Sequence, residues 1–394
     1  MEEENDGENT QLREKQVKKK WKEKMNEFCW DWSYQLASLS TPFPPYSLPF
    51  KHTSSSKMAP LKVGIIGVGR IGRCHCASVA SVPTKATVSM ICDIYQPALD
   101  EVSAIFHVPK TTNDPMELIN DPDVEAVVIC SPTDQHAGQI MAAAKAGKMI
   151  FCEKPISLSL EIIDEVAAAV KEAGVMCFVA FQRRFDANFM RLKEAVTGGE
   201  VGDVHMMHIV SRDPSPPPVN YIKASGGLHN DMAVHDFDMA RFLAGSEVAE
   251  VYCKGSCKVD PAIGEAGDID TSLAMLTFEN GVVATVDNSR KATYGYDQRV
   301  EVFGSKGMIQ SNNKHANTCV VSNDESVSTC KAMAFFMDRY ADAYRNEMVA
   351  FVDCAHEGKA SPVGVEDGRA AYLIGKAAKQ SMETGLPVKV ADMS

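Results

Sequence analysis

The sequence predicts an α/β protein with two folded parts. The first is a Rossmann-type, doubly wound parallel sheet, and the second is an α+β domain with a large, mainly antiparallel sheet. The first prediction rests on a glycine-rich turn after a short apolar strand, and on strand-like and helical runs that then alternate along the chain. The second rests on a change after about residue 182, where strand-like runs lengthen and hairpin turns separate them. We therefore expect domains at 60–182 and 183–394.

The individual elements follow from the period of the apolar residues. In the first part, strands are predicted at 62–66, 86–92, 124–130, 148–152 and 175–180, with helices at 71–81, 96–106, 134–147 and 159–173. In the second part, strands are predicted at 203–211, 247–257, 270–278, 282–288, 297–303 and 318–322, with helices at 186–197, 231–243, 338–357 and 366–383.

The first 59 residues differ in kind from the rest. They begin with a run of acids, continue through a lysine-rich stretch and end in a segment rich in proline, serine and threonine. Such a composition buries too little apolar surface to fold alone, so we expect a disordered extension. Met58 stands just before the first predicted strand, and we expect residues 1–57 to be dispensable for catalysis.

The overall composition excludes several classes of function. A chain of 394 residues with a net charge of −12 is long enough for two domains and is poorly suited to non-specific nucleic-acid binding. No apolar run approaches the roughly 18 to 20 residues of a membrane span. The twelve cysteines are scattered, and several lie in apolar runs, which is typical of reduced thiols in the cytoplasm. No ligand set of zinc-site spacing stands out, so we expect no metal.

The glycine-rich turn carries the most specific signal. Gly67, Gly69 and Gly72 follow an apolar strand in the spacing of a dinucleotide-binding turn, and Asp93 ends the next strand about 20 residues later. The three glycines would allow the tight turn, the approach of a pyrophosphate and the close packing of the helix on the strand. The turn therefore predicts a bound dinucleotide, and with it hydride-transfer chemistry.

The residues around this turn favour NAD over NADP. Asp93 would accept hydrogen bonds from ribose hydroxyls and would repel a 2′-phosphate. Arg70 and Arg73 lie in the same turn and could hold a phosphate, so NADP stays open at this point.

A lysine marks the end of the strand predicted at 148–152. Lys154 lies in a Glu-Lys-Pro sequence, and ligands bind at the carboxyl ends of the strands of such sheets. Its amine can therefore reach a substrate oxygen. An ordinary surface lysine explains the same residue without any chemistry.

An acid and an imidazole share one predicted helix. Asp231 and His235 are four residues apart and would project from one face, which Asp238 extends. A carboxylate beside an imidazole raises its basicity, so the pair suits a general base that acts on a hydroxyl group. Helix capping and pairing with Arg241 explain the same residues without catalysis.

Five motifs occur in an order that matches one known family. They are Gly-x-Gly-x-x-Gly at 67–72, Ser-Pro-x-x-x-His at 131–136, Glu-Lys-Pro at 153–155, Phe-Gln-Arg-Arg-Phe-Asp at 181–186 and Asp-x-x-x-His-Asp-x-Asp at 231–238. From about residue 61 onward, the chain therefore resembles the glucose–fructose oxidoreductase/inositol dehydrogenase/rhizopine-catabolism (Gfo/Idh/MocA) family. Within that family, the sequences at 211–214, 226–238 and 294–297 are most similar to the inositol 2-dehydrogenases.

The resemblance implies an NAD-dependent oxidation of a cyclitol hydroxyl to a ketone, with myo-inositol converted to 2-keto-myo-inositol. It implies that His235 takes the hydroxyl proton, that Lys154 stabilises the developing alkoxide, and that Asp231 supports the substrate or the histidine. The residues expected to contact the cofactor are Gly67, Gly69, Arg70, Ile71, Gly72, Asp93, Ser131, Thr133, His136 and Glu153. Those expected to contact the substrate are Arg184, Asp213, Asp238 and Tyr296.

The resemblance also implies a homodimer or homotetramer. Asp213 departs from inositol-oxidising members, in which this position can be an asparagine that contacts substrate, so another cyclitol or a sugar stays open. Two alternatives remain: an NAD(P)-dependent aldose or sugar dehydrogenase, and a catalytically silent nucleotide-binding regulator of the same fold.

Overall fold

The computed structural model describes residues 59–394. The predicted N-terminal extension, with the expectation that it is disordered and dispensable, lies almost entirely outside these residues. Within the described range, no helix combines the length and the apolar character that crossing a lipid bilayer requires.

The first part is a six-stranded, fully parallel sheet in the order β3-β2-β1-β4-β5-β6, as predicted for a doubly wound fold. Its strands are β1 (Leu61–Ile66), β2 (Ala86–Cys92), β3 (Lys110–Thr112), β4 (Ala126–Ile129), β5 (Met149–Glu153) and β6 (Cys177–Ala180). The helices are α1 (Arg70–Ala80), α2 (Gln96–Phe106), α3 (Pro115–Asn120), α4 (Thr133–Lys145) and α5 (Leu160–Ala173).

The central strands are buried on both faces, because helices cover both sides of a doubly wound sheet. All four residues of β4 and all four of β6 are buried, which explains why these strands are continuous apolar runs. The sequence prediction missed β3 and α3. Both are short, and β3 is a partly exposed, polar edge strand with no apolar pattern to reveal it.

The second part is a seven-stranded sheet in the order β12-β11-β7-β10-β9-β8-β15. Its strands are β7 (Val204–Arg212), β8 (Val248–Ser256), β9 (Thr271–Phe278), β10 (Val283–Ser289), β11 (Asp297–Gly304), β12 (Gly307–Ser311) and β15 (Val388–Lys389). All of its pairs are antiparallel except β7 with β10. The predicted mainly antiparallel sheet is confirmed, and the one parallel pair brings the carboxyl ends of β7 and β10 side by side.

One predicted strand of this part lies elsewhere. The run at 318–322 forms β13 (Val320–Ser322), which pairs with β14 (Val327–Thr329) in a separate exposed hairpin instead of joining the large sheet. Period-2 patterning predicts a strand but does not select its partner, so the pairing needed tertiary information.

Seven α-helices are described in this second part: α6 (Ala187–Thr197), α7 (Val219–Ser225), α8 (Val234–Ala244), α9 (Pro261–Glu265), α10 (Phe336–Arg339), α11 (Ala341–Glu357) and α12 (Val365–Thr384). Helix α12 packs on β8, whereas α11 packs on α1 of the first part. Phe351 and Val352 of α11 are fully buried in the core that the parallel sheet organises. The C-terminal half of the chain therefore supplies side chains to the neighbourhood of the glycine-rich turn.

The helix predicted at 231–243 is not one regular α-helix. Residues Leu228–Ala233 form a π-helical turn, and the α-helical geometry of α8 starts only at Val234. A π turn shifts side chains relative to the α-helical spacing, and such turns are frequent at functional sites. Asp231 and His235 therefore do not belong to one regular α-helix, as was predicted, although both residues lie in this segment.

Candidate active site

The glycine-rich turn has the geometry of a dinucleotide cradle. Gly67 has a φ of +86°, a conformation that favours glycine. A Cβ atom on Gly72 would lie 1.9 Å from the carbonyl oxygen of Gly67, so only glycine allows α1 to start this close to β1. A Cβ atom on Gly69 would have no neighbour within 4 Å. That position leaves open space at the start of α1, where backbone N–H groups attract phosphates.

Asp93 is held in place by backbone groups of the same loop. Its Oδ2 accepts a hydrogen bond of 2.8 Å from the Val68 N–H, and its Oδ1 accepts one of 2.9 Å from the Tyr95 N–H. The carboxylate is therefore fixed at the end of β2, with further lone pairs available for ribose hydroxyls. Ile94, which the sequence interpretation did not single out, is 91% exposed beside it and offers an apolar surface next to the ribose position.

The two arginines of the turn already have partners in the protein, an acid for Arg73 and an aromatic ring for Arg70. Arg73 forms a bidentate pair of 2.6 and 2.7 Å with Glu101, and Arg70 stacks on the ring of Phe335 at 5.4 Å. Ile71, between them, packs its side chain against the core of the second part. These contacts agree with a site built for NAD.

A second turn follows β4 and begins α4. The Nδ1 of His136 lies 2.8 Å from the carbonyl oxygen of Pro155, and its Nε2 lies 2.8 Å from that of Ser131. His136 is buried and ties the turn after β4 to the turn after β5, so its ring nitrogens are occupied by the protein rather than by a cofactor. The Ser131 hydroxyl donates to Gln139 at 2.7 Å, and Thr133 is the first residue of α4. His136 therefore positions the predicted cofactor wall instead of contacting the cofactor through its ring nitrogens.

A buried acid cluster lies behind the end of β5. The Nε2 of His75 is 2.8 Å from Oε1 of Glu153, and Glu347 on α11 places a carboxylate oxygen within 4.8 Å of both. Both oxygens of Glu347 are buried without a hydrogen-bond partner among the described residues. Burial, together with the charge of Glu153, raises the pKa of Glu347 well above its usual value.

The same three side chains form the one His/Cys/Asp/Glu group in residues 59–394 with donor atoms close enough for a metal ion. We assign hydrogen bonding to this group instead. The 2.8 Å contact between Nε2 of His75 and Oε1 of Glu153 is the length of a direct hydrogen bond, and it occupies the ring nitrogen that a metal would need.

Lys154 and Asp231 lie together, although 77 residues separate them. The Lys154 ammonium group donates a hydrogen bond of 2.8 Å to the backbone oxygen of Asp231, and it lies 3.6 Å from the carboxylate Oδ1. The side chains are 16% and 11% exposed, so both charges are largely shielded from water. The end of β5 and the π turn thus place an ammonium and a carboxylate in one partly buried site.

His235 is buried beside this pair, but its environment differs from the sequence prediction. Its ring meets the ring of Phe181 edge-on at 5.9 Å, and its Nδ1 has no hydrogen-bond partner among the described residues. Burial, followed by the charges of Lys154 and Arg183, lowers the pKa of His235 well below its ordinary value. The expectation that Asp231 raises the basicity of His235 is therefore wrong, because the structure directs that carboxylate to other partners.

Those partners are two residues that the sequence interpretation missed. The Tyr221 hydroxyl donates to Asp231 Oδ1 at 2.9 Å, and Nη1 of Arg290 donates to Asp231 Oδ2 at 3.0 Å. The same Nη1 lies 3.7 Å from Oδ2 of Asp213. Arg290 and Tyr221 belong to no recognisable motif, so only the pairing of β7 with β10 and the placement of α7 could reveal them.

Asp213 lies at this site, with its side chain 24% exposed, and its contact with substrate stays a prediction. Burial raises the pKa of Asp213 to about 6, and Arg290 opposes that rise. Tyr296 is buried nearby, and its ring packs edge-on against that of Tyr340.

Two predicted substrate contacts are occupied by the protein itself. Arg184 donates to Asp238 at 2.8 and 2.5 Å and to Asp367 on α12 at 2.8 Å, and Arg241 also contacts Asp367 at 3.1 Å. This ion-pair cluster joins the turn after β6 to α8 and α12. The expectation that Arg184 and Asp238 contact substrate is therefore corrected: their donors and acceptors are used in holding these segments together.

The arrangement defines a class of protein. A dinucleotide cradle at the ends of parallel strands adjoins a partly buried ammonium, a neutral imidazole and two carboxylates, which together suit hydride removal from an alcohol. The fold and site are those of a nicotinamide-dependent oxidoreductase.

Comparisons with known proteins agree with this class. Residues 61–181 match the model of an oxidoreductase family with an NAD-binding Rossmann fold, and residues 189–310 match the C-terminal domain of GFO/IDH/MocA proteins. The chain is 44% identical to the myo-inositol 2-dehydrogenase of Thermotoga maritima over 84% of its length and 99% of that protein. It is 40% identical to the inositol 2-dehydrogenase of Rhizobium meliloti over 84% of its length and 99% of that protein.

A solved structure extends this similarity to the fold. The scyllo-inositol dehydrogenase of Lactobacillus casei, crystallised with NAD(H) and scyllo-inositol, aligns with a TM-score of 0.79 and 29% identity, over 84% of this chain and 99% of that one. The chain belongs to the Gfo/Idh/MocA family of NAD-binding oxidoreductases.

Proposed function

We propose that this protein oxidises a hydroxyl group of a cyclitol to a ketone with NAD⁺, with myo-inositol converted to 2-keto-myo-inositol. The observation that carries the proposal is the contact of Lys154 with Asp231, beside His235, at the ends of strands that also hold the glycine cradle. The names of the relatives, two of which are inositol 2-dehydrogenases, support the choice of substrate.

The side chains have distinct roles in this proposal. When bound, NAD⁺ supplies the acceptor for the hydride. His235 takes the hydroxyl proton, for which a lowered pKa is suitable because the neutral imidazole is the form that accepts a proton. Lys154 donates to the hydroxyl oxygen and stabilises the negative charge that develops there. Asp231, fixed on both carboxylate oxygens, orients Lys154 and accepts from the substrate.

The residues that line the proposed cofactor site also have distinct roles. We propose that the glycine turn and Asp93 hold the pyrophosphate and the adenosine ribose, and that Ser131, Thr133 and Glu153 line the nicotinamide half. In this proposal residues 60–182 bind the cofactor, and residues 183–394 supply the substrate site and the surface for self-association.

Self-association would use the outer face of the large sheet. Inner-face residues of this sheet are buried, whereas apolar side chains on the outer face stay exposed on five strands: Met206, Leu273, Met275, Val283, Phe303 and Met308. An apolar face of this extent is typical of a subunit interface. Met275→Lys should shift a dimer or tetramer towards smaller species in light scattering, whereas Leu386→Lys, outside this face, should not.

The cytoplasm is the proposed compartment. Several cysteines, including Cys76 and Cys177, are buried, and burial raises the pKa of each of these two to about 12. Such thiols stay protonated and unreactive, which suits a reducing environment.

A single screen tests the proposed reaction. NADH formation is followed at 340 nm with myo-inositol, scyllo-inositol, glucose and xylose, each with NAD⁺ and with NADP⁺. We expect the highest kcat/KM with a cyclitol and NAD⁺. A preference for an aldose would favour a sugar dehydrogenase, and no turnover with any polyol, despite NAD binding, would favour a regulator.

A further inference from the structure

A buried arginine connects the two carboxylates of the site. Arg290 is 1% exposed, and its Nη1 lies 3.0 Å from Asp231 Oδ2 and 3.7 Å from Asp213 Oδ2. The two acids are thus separated by a single nitrogen atom. Without that cation, two carboxylates this close would repel each other, and one of them would take up a proton.

The topology explains why these residues meet. Strands β7 and β10 run parallel, with Ser289 opposite Arg212, so the next residues, Asp213 and Arg290, emerge together at the carboxyl end of both strands. Backbone hydrogen bonds fix both residues: the Asp213 N–H donates to Ser289 at 2.8 Å, and the Arg290 N–H donates to Asp270 at 2.8 Å.

Arg290 leaves part of its hydrogen-bonding capacity unsatisfied. Its Nε and Nη2 are buried without a hydrogen-bond partner in the part of the chain that the structure describes. Buried donors without partners destabilise a fold, and buried ion pairs are often no more stabilising than apolar residues of the same volume. An arginine kept under these conditions points to a role in the site rather than in the core.

We propose that Arg290 is a positioning and specificity-determining residue, which keeps Asp213 and Asp231 ionised side by side so that they accept hydrogen bonds from neighbouring hydroxyl groups of a cyclic polyol. The inference rests on the proposed function. Ionised carboxylates are pure acceptors, and polyol hydroxyls are donors, so the pair recognises two adjacent hydroxyls rather than a lone alcohol. The Asp213 carboxylate accepts no hydrogen bond from the residues that the structure describes, and it is therefore available to a ligand.

The ionisation of Asp213 depends on groups from every element around it. Arg290 and Arg183 favour the charged form, whereas Asp231 and Asp236 disfavour it. The hydroxyl groups of Tyr221 and Tyr296 also lie close to this charge, and burial keeps both phenols protonated near neutral pH. With Arg290 present, the pKa of Asp213 is about 6, so it is ionised at pH 7. Because the arginine lowers this pKa, its removal should raise it, and Asp213 should be protonated at pH 7 and ionised only at higher pH.

The test compares Arg290→Met, Arg290→Lys and the surface control Arg191→Met, which removes an exposed pair with Glu200. The ratio of variant to wild-type kcat/KM is measured from pH 6 to 9 on the best polyol of the screen, with NAD⁺ saturating. We expect Arg290→Met to fall at least about 30-fold at pH 7 and to recover at least tenfold by pH 9. Arg290→Lys should retain more activity, and Arg191→Met should give a ratio near one throughout.

Two further readouts separate this role from a purely structural one. The melting temperature of Arg290→Met should fall further below that of the wild type at pH 9 than at pH 6, because at high pH both carboxylates are charged and have lost the cation between them. The wild type should discriminate at least about 100-fold against a deoxyinositol that lacks the hydroxyl next to the reacting carbon, and Arg290→Met should discriminate less.

A pH-independent ratio for Arg290→Met, or unchanged discrimination, would overturn the inference. If that variant does not fold, Asp213→Asn decides instead: it should remove the acid limb near pH 6 from the wild-type profile, and persistence of that limb would overturn the inference. Failure of the wild type to oxidise any cyclitol would refute the proposed substrate, whereas the Arg290 comparison would still be read on the polyol or sugar that is oxidised.

Discussion

Replacement of Lys154 by methionine tests the centre of the proposed mechanism. The substitution keeps most of the side-chain volume and removes the ammonium group, which contacts the Asp231 backbone oxygen at 2.8 Å and lies 3.6 Å from its carboxylate. At that separation, two unit charges attract by about 4.6 kcal/mol with an effective dielectric constant of about 20. An alkoxide forming at a comparable distance from the ammonium nitrogen would be stabilised by a similar amount.

Water entering the vacated space would restore part of this stabilisation. We therefore expect a net loss of about 3 to 4 kcal/mol, which is typical for removal of one donor to a developing oxyanion. Such a loss lowers kcat by roughly 10²- to 10³-fold. The dissociation constant for NAD⁺ should change little, because the proposed phosphate and ribose contacts lie in the glycine turn and at Asp93.

The assay combines initial rates of NADH formation with fluorescence titration of NADH on the same protein. An isotope effect with deuterium on the reacting carbon shows whether hydride transfer limits the variant. A kcat within tenfold of the wild type, with hydride transfer rate-limiting in both proteins, would refute the assignment of Lys154. An equal loss of NADH affinity would instead indicate that the site had collapsed.

Three further predictions concern the cofactor wall and the cluster behind it. Asp93→Ser should raise the KM for NAD⁺ at least tenfold and reduce the preference for NAD⁺ over NADP⁺, because the carboxylate that accepts from the ribose, and its charge, are lost. An unchanged ratio of kcat/KM for the two cofactors would exclude Asp93 from ribose recognition. Gly69→Ala should keep the melting temperature, since the φ of Gly69 is −67° and the new Cβ would meet nothing within 4 Å, yet it should weaken NADH binding in a fluorescence titration. Gly138→Ala, exposed in the interior of α4, should leave NADH binding unchanged and raise the melting temperature slightly, because alanine favours a helix interior more than glycine does. Equal NADH affinities for the two variants would contradict the cradle. Glu347→Gln should raise the Tm at both pH values, and the rise at pH 8 should exceed the rise at pH 5 by at least about 2 °C. Burial raises the pKa of Glu347, so the folded state retains a proton that the unfolded state releases above about pH 4.5. The stability of the wild type therefore falls as the pH rises, whereas a glutamine has no such dependence. An equal shift in Tm at both pH values would show that Glu347 is ionised in the folded protein.

Local chemistry made much of the fold predictable. The apolar runs of β1, β2, β4, β5 and β6 and the glycine turn are visible in the sequence because each reflects a constraint within a few residues: burial on both faces, a positive φ, or a missing Cβ. The same holds for the hairpin turns of the second part. These patterns also carried the family resemblance, which the comparisons bear out.

The partner of each polar side chain was not predictable in the same way. Asp231 was expected to act on His235 from four residues away, but a π turn intervenes and the carboxylate meets Arg290 and Tyr221 instead. Arg184 and Asp238 were expected at the substrate, yet they bind each other. Spacing along a chain limits which residues can be neighbours, but it does not rank the distant charges that compete for a carboxylate.

The sequence by itself determined the class of this protein: a Rossmann sheet with an NAD cradle, joined to a mainly antiparallel sheet, in the Gfo/Idh/MocA family. Only the tertiary structure decided how the charges of the site are shared. The parallel register of β7 and β10 sets Arg290 beside Asp213, and the packing of α11 on α1 sets Glu347 behind Glu153. The physical reason is range: turn and strand signals arise from neighbours in sequence, whereas ionisation depends on every charge within a few ångströms, whatever its position in the chain.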